Sequence, residues 1–105
     1  MKPFLRVAVD ARWPIGLVTY RSADDHGGAR VLRRDRDGRI RPHSLREHAF
    51  VESGVMIHET QRDQVIEIEI LDVDDPVMVA LARDYARDNG LEFPSDIRAA
   101  AKAPA

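Results

Sequence analysis

The chain has 105 residues, no cysteine and a formal net charge of −2. That length specifies one domain with one modest core, burying roughly 65% of the surface its unfolded chain exposes; the absent cysteines exclude disulfides, thiolate nucleophiles and thiolate metal sites, and no apolar run is long enough to span a membrane. Charge is segregated, with 11 basic and 6 acidic residues in Met1–Val51 against 5 and 12 in Glu52–Ala105, so the halves attract within one fold or across a contact between chains.

Leu5, Val7 and Val9 alternate with Arg6 and Ala8 in a first strand, which Trp13-Pro14 ends. Ile15–Arg21 is a second strand, weakened by Gly16. Ser22–Gly28 reads as a loop. Ala29–Arg34 and Arg39–His43 flank Asp35-Arg36-Asp37-Gly38, and Asp-Gly supports the positive φ values of a hairpin turn. Ser44, with Glu47 three residues on, signals a helical turn over Ser44–His48. Phe50–Glu52 and Val55–Glu59 read as extended segments entering a turn at Thr60–Gln64.

The clearest segment follows. Ile66, Ile68 and Ile70 alternate with Glu67 and Glu69, which puts the isoleucines on a core and the glutamates in water. Asp75 then caps a helix with Pro76 in its first position, where no donor is needed. Val77, Met78, Leu81, Ala82 and Tyr85 form its apolar stripe, and Asn89-Gly90 its C-terminal stop. Leu91 and Phe93 fold back on the core. Residues 94–105 form a short helix or a frayed tail after a single domain spanning 1–93.

Gly54-Val55-Met56-Ile57-His58-Glu59 and Val65-Ile66-Glu67-Ile68-Glu69-Ile70-Leu71-Asp72 resemble the strand pair of a family of short bacterial proteins of unknown function, which carry "GVxVDYD" and "VVGIEILD" segments. The match runs over about 19 residues. Glu67 stands where that family has glycine, and Arg62-Asp63-Gln64 where it has Asp-Gly. The resemblance implies a small meandering sheet that self-associates, and no activity.

Several constellations bear on chemistry. Arg30, Arg33, Arg34, Arg36, Arg39 and Arg41 lie within 12 residues. On a β-ribbon they track phosphates; interrupted by aspartates, with no aromatic residue to stack on bases, they equally read as a solvated hairpin. Asp35-Arg36-Asp37-Gly38 opens like a calcium loop, but the twelfth position is Arg46 where a carboxylate is required. His26, His43, His48 and His58 show no regular metal spacing. His58 with Glu59 is the catalytic candidate, a role that requires a concave pocket around it. Trp13 beside Pro14 is either an exposed recognition residue or a cap on the core. No nucleophile elbow or phosphate loop is present.

These readings combine into an α+β fold, a mostly antiparallel sheet of four to six strands with the Pro76–Asn89 helix on one face. The function expected is that of a non-enzymatic interaction module, cytoplasmic and without cofactor or metal. It would act through a sheet edge and its charge-segregated surface, on a second copy or another protein. Nucleic-acid or phosphate binding through the arginine hairpin, and a small enzyme with a His/carboxylate site, are the alternatives.

Overall fold

The isoleucine alternation becomes the inner strand of a six-stranded antiparallel sheet. The structure, a computed structural model, describes residues 1–22 and 25–102. Among them the strands are β1 (Arg6–Val9), β2 (Gly16–Thr19), β3 (His26–Arg34), β4 (Ile40–Ser44), β5 (Val55–Thr60) and β6 (Val65–Ile70). The helices are α1 (Ala49–Ser53), α2 (Pro76–Asp88) and α3 (Ile97–Lys102). Strand order is β1-β2-β6-β5-β3-β4, so the strongest strand pair, β5–β6, lies in the middle. The fold is α+β, as the sequence implies.

Register shows why the isoleucines are buried. Val7, Val18, Ile68 and Ile57 are successive cross-strand partners, and Gly16, Ile70 and Val55 form the next row. Both rows face the helices, where Ala82, Tyr85 and Ala86 of α2, Leu91 and Ile97 of α3 complete one core. Tyr20 is fully buried and its hydroxyl donates to the Glu92 carbonyl at 2.7 Å, so burial pushes its phenol far above the ordinary value. No residue of the opposite face belongs to the helix-packed core. That face presents Arg6, Ala8, Leu17, Thr19, Glu67, Glu69, Met56, His58, Val31, Arg33, Arg41 and His43 by alternation along the ladders.

The ends of α2 follow the sequence closely. The Asp75 carboxylate accepts from the Val77 and Met78 amides above Pro76. At the other end the Leu91 amide donates to Ala86 and the Gly90 amide to Arg87, with Gly90 at φ 67, which is a Schellman stop.

Four local expectations are corrected. The helical turn is Ala49–Ser53 rather than Ser44–His48: His48, at φ 64, is its N-cap without a side-chain cap bond, and Phe50–Glu52 are helical rather than extended. β2 stops at Thr19. β3 starts at His26, so Gly27 and Gly28 are strand residues; a Cβ on Gly27 would meet the Thr60 backbone, which makes glycine necessary there. Residues 23 and 24 of the expected loop lie outside the described residues. Finally, Val77 is 76% exposed. The buried stripe runs through Ala82, Tyr85 and Ala86, and Val77 sits about 100° around the helix from Met78, off that stripe.

Candidate functional site

The arginine cluster does not form one basic tract. Cross-strand pairing sets Arg30 and Arg34 on the helix-covered face and Arg33 and Arg41 on the other, while Arg36 and Arg39 are exposed in the turn. Three of the six are tied to carboxylates. Arg30 makes a two-pronged contact with Glu59 at 2.6 and 2.8 Å. Arg41 bridges Asp35 and Asp37, each at 2.8 Å, and holds the Asp37 carboxyl at about 2, well below the usual range. Arg34 reaches Asp84 of α2 at 3.0 Å and the Gly38 carbonyl at 3.1 Å.

His58 and Glu59, adjacent in sequence, point to opposite faces of β5. Glu59 is 6% exposed, engaged by Arg30, and borders a cleft of about 480 Å³ with Gly27 and Asp63. His58 lies on the uncovered face. Its Nε2 is 3.0 Å from Glu69 and 3.8 Å from Glu67, and its Nδ1 is 3.3 Å from His26 Nε2. Glu67 and Glu69 are therefore only about a fifth exposed (23% and 22% of the side chain) rather than free in water, because the imidazole sits against them. The carboxylates and His26 occupy opposite sides of the ring and do not converge on one point. No group of three potential ligands occurs among the described residues. His48 is exposed and pairs with Glu47 at 3.3 Å.

The hydrogen bond to Glu69, with the charges of Glu67 and Glu69, raises the His58 pKa above its ordinary value despite desolvation. An imidazolium donates at both nitrogens, to Glu69 and to His26. Because the folded value is raised, the stabilisation is fully present below the ordinary histidine pKa of about 6.5 and is lost as pH rises through the folded value. Urea titrations across about pH 6 to 8 are expected to show wild type losing stability relative to His58→Gln as pH increases. Parallel pH dependence in the two proteins would contradict the arrangement.

A second, wider concavity lies away from His58 and Glu59. A groove of about 1040 Å³ runs between the β3–β4 hairpin, α1 and the start of α2. Leu32, Ala80 and Leu81 supply apolar lining, Pro76 and Val77 belong to the first turn of α2, and Arg34, Arg46, Glu47 and Glu52 bring charge; Arg33 borders the groove from β3, whose alternation sets its side chain on the other face. Of the lining residues, Val77 is a large apolar side chain left exposed (76%); Leu45, between β4 and α1, and Val51 of α1 are exposed as well but do not line the groove. Arg33, Arg46 and Glu52 form no ion pair among the described residues. Ser53 fixes the wall: its hydroxyl donates to the Leu32 carbonyl and accepts from the Val55 amide, tying α1 to β3 and β5. Of the arginines and histidines singled out from sequence, Arg33, Arg34 and His43 border the groove. Arg46, Glu52 and Ser53 carry no local signal for it, and Val77 belongs to the stripe expected to face the core.

The β4 edge beside the groove is blunted. The Asp35 amide donates to Arg39, so the bonded pairs of this hairpin fall at 33/41 and 31/43, and Ile40, Pro42 and Ser44 turn their main-chain groups outward. Pro42 removes the middle donor of that edge. Trp13 is 66% exposed on the β1–β2 loop at the other end of the sheet, so it does not cap the core; its amide and that of Arg12 donate to Asp10. No helix among the described residues is long and apolar enough to cross a membrane. No protein-family model, curated protein or solved structure matches the chain.

Proposed function

We propose that this chain is a non-enzymatic protein-interaction module that works through the groove and the charged surface around it. The observation that carries this reading is a concavity with an apolar floor of Leu32, Ala80 and Leu81, on which Val77 stands exposed and which Arg46 and Glu52 line without an ion pair among the described residues. An apolar concavity with an exposed aliphatic side chain, rimmed by polar groups, fits a contact site. The partner is a second copy or another protein. The missing Pro42 donor favours side-chain docking in the groove over strand addition along β4. A catalytic role for His58 has less support, because His58 lies outside both concavities described. Nucleic-acid binding through the hairpin has less support too, since Arg30, Arg34 and Arg41 are spent on internal carboxylates. A cytoplasmic setting and kinship with the short bacterial family belong to the same proposal; the cysteine-free sequence supports the first and the β5–β6 pairing the second.

A photo-crosslinking phenylalanine analogue placed at Val77 in the native host is expected to give protein adducts, and the same group at Arg83, exposed on α2 but outside the groove, to give none. Adducts at neither position, or only nucleic-acid adducts, would overturn the reading.

A further inference from the structure

Independently of the groove, we infer that the outer edge of β1 pairs with the β1 edge of a second copy of this chain, antiparallel about a two-fold axis at Ala8. Of the two sheet edges, β4 is blunted by Pro42, whereas β1 holds no proline. The Asp10 amide donates to the Ile15 carbonyl, so the bonded pairs of β1 with β2 fall at Asp10/Ile15, Ala8/Leu17 and Arg6/Thr19. Val7 and Val9 therefore turn their amides and carbonyls away from β2, and these groups meet no partner outside the sheet among the described residues. Unpaired main-chain groups on an edge are a template for a further strand.

A two-fold contact joins one surface to itself, so it requires an edge that is its own complement. Pairing centred on Ala8 sets Val7 opposite Val9 of the second copy, and each such pair exchanges both of its amide–carbonyl bonds. The same register sets Arg6 opposite Asp10 of the second copy, at a non-bonded pair, where facing side chains are closest. Arg6 and Asp10 are exposed and make no ion pair among the described residues. Asp10 accepts the Arg12 and Trp13 amides through Oδ1, which leaves Oδ2 for the guanidinium. Sliding the register by two residues would set Arg6 or Asp10 against Ala8 instead, so the charges fix the pairing. The antiparallel arrangement also lays the Leu5 end of β1 beside the Trp13 loop of the second copy, and both side chains are 66% exposed in the single chain. Any other strand would need an acid opposite Arg6 and a base opposite Asp10, with small apolar residues between; β1 of a second copy supplies that order.

Sedimentation of the purified full chain tests the inference. Wild type is expected to sediment as a dimer. Val9→Pro removes an outward donor and no main-chain bond within the chain, as Pro42 does on β4; it is expected to sediment as a monomer with its fold intact by circular dichroism. Arg6→Asp, at an exposed position, and Asp10→Arg are each expected to weaken the dimer about tenfold, because like charges then face one another on both sides of the axis. Mixed in equal amounts, these two variants are expected to reassociate, since every facing pair is again opposite in sign. A monomeric wild type, a dimer indifferent to Val9→Pro, or a mixture that fails to reassociate would overturn the inference. A dimer kept by Val9→Pro but lost with Val77→Glu would overturn it in favour of the groove.

Discussion

Ile68→Ala is expected to lower unfolding free energy by about 2–5 kcal/mol, a large fraction of the roughly 5–15 kcal/mol that holds a domain of this size together. Ile68 is fully buried and lies between Val18 of β2 and Ile57 of β5, themselves fully buried. Backbone ladders on both sides fix those neighbours, so the cavity left by the lost methyl and methylene groups cannot close by collapse. Urea denaturation followed by far-ultraviolet circular dichroism reads the effect; Trp13 fluorescence is a poor probe because the indole is already 66% exposed in the folded state. The midpoint should fall with little change in slope. Val77→Ala, at an exposed position, should stay within about 0.5 kcal/mol of wild type. A loss below about 1 kcal/mol for Ile68→Ala would mean that the β6 face is not the packed centre of the sheet.

Gly54→Ala is expected to cost about 2–4 kcal/mol, from two separable sources. Gly54 ends α1 at φ 79, a left-handed conformation that costs an L-residue roughly 1–2 kcal/mol. A Cβ there would also press on the Met78 side chain of α2, which must move although it is flexible. Gly90 provides the internal control: its φ is 67, and open space surrounds the position of its Cβ. Gly90→Ala should therefore show the backbone cost alone, and the excess at Gly54 should report the Met78 contact. Equal losses at the two positions would contradict the close approach of α1–β5 to α2. Since Gly54 turns the chain from the groove wall into β5, this substitution should also weaken any contact made by Glu52 and Val51.

Local chemistry carried the parts of the fold that were legible in the sequence. The alternation of Ile66, Ile68 and Ile70, the Asp75-Pro76 start, the Asn89-Gly90 stop and the Asp37-Gly38 turn each state their structure within a few residues. α1 was illegible because five residues are too few to show a helical period, and because it starts from a left-handed His48 that no capping preference predicts. Gly27-Gly28 has the composition of a loop, yet the segment pairs with β5 through a bulge, and the need for glycine lies in Thr60, distant in sequence. Val77 and Met78 are adjacent apolar residues, and an apolar period alone does not say which of them meets the core. The groove was out of reach for the same reason: Leu32, Ser53 and Leu81 come together only through the tertiary fold. The arginine cluster was visible, but its partners Glu59 and Asp84 were not, and those partners separate a solvated hairpin from a phosphate-binding ribbon.

Backbone hydrogen exchange measured on the same protein when dilute and when concentrated locates a contact between copies. Concentration is expected to slow exchange at Val7, at Val9 and in the β1–β2 loop around Trp13, with α1 and the first turns of α2 unchanged. Slowing confined to α1 and α2 or to the strands carrying Glu67 and His58, with the β1 edge unaffected, would contradict pairing through β1.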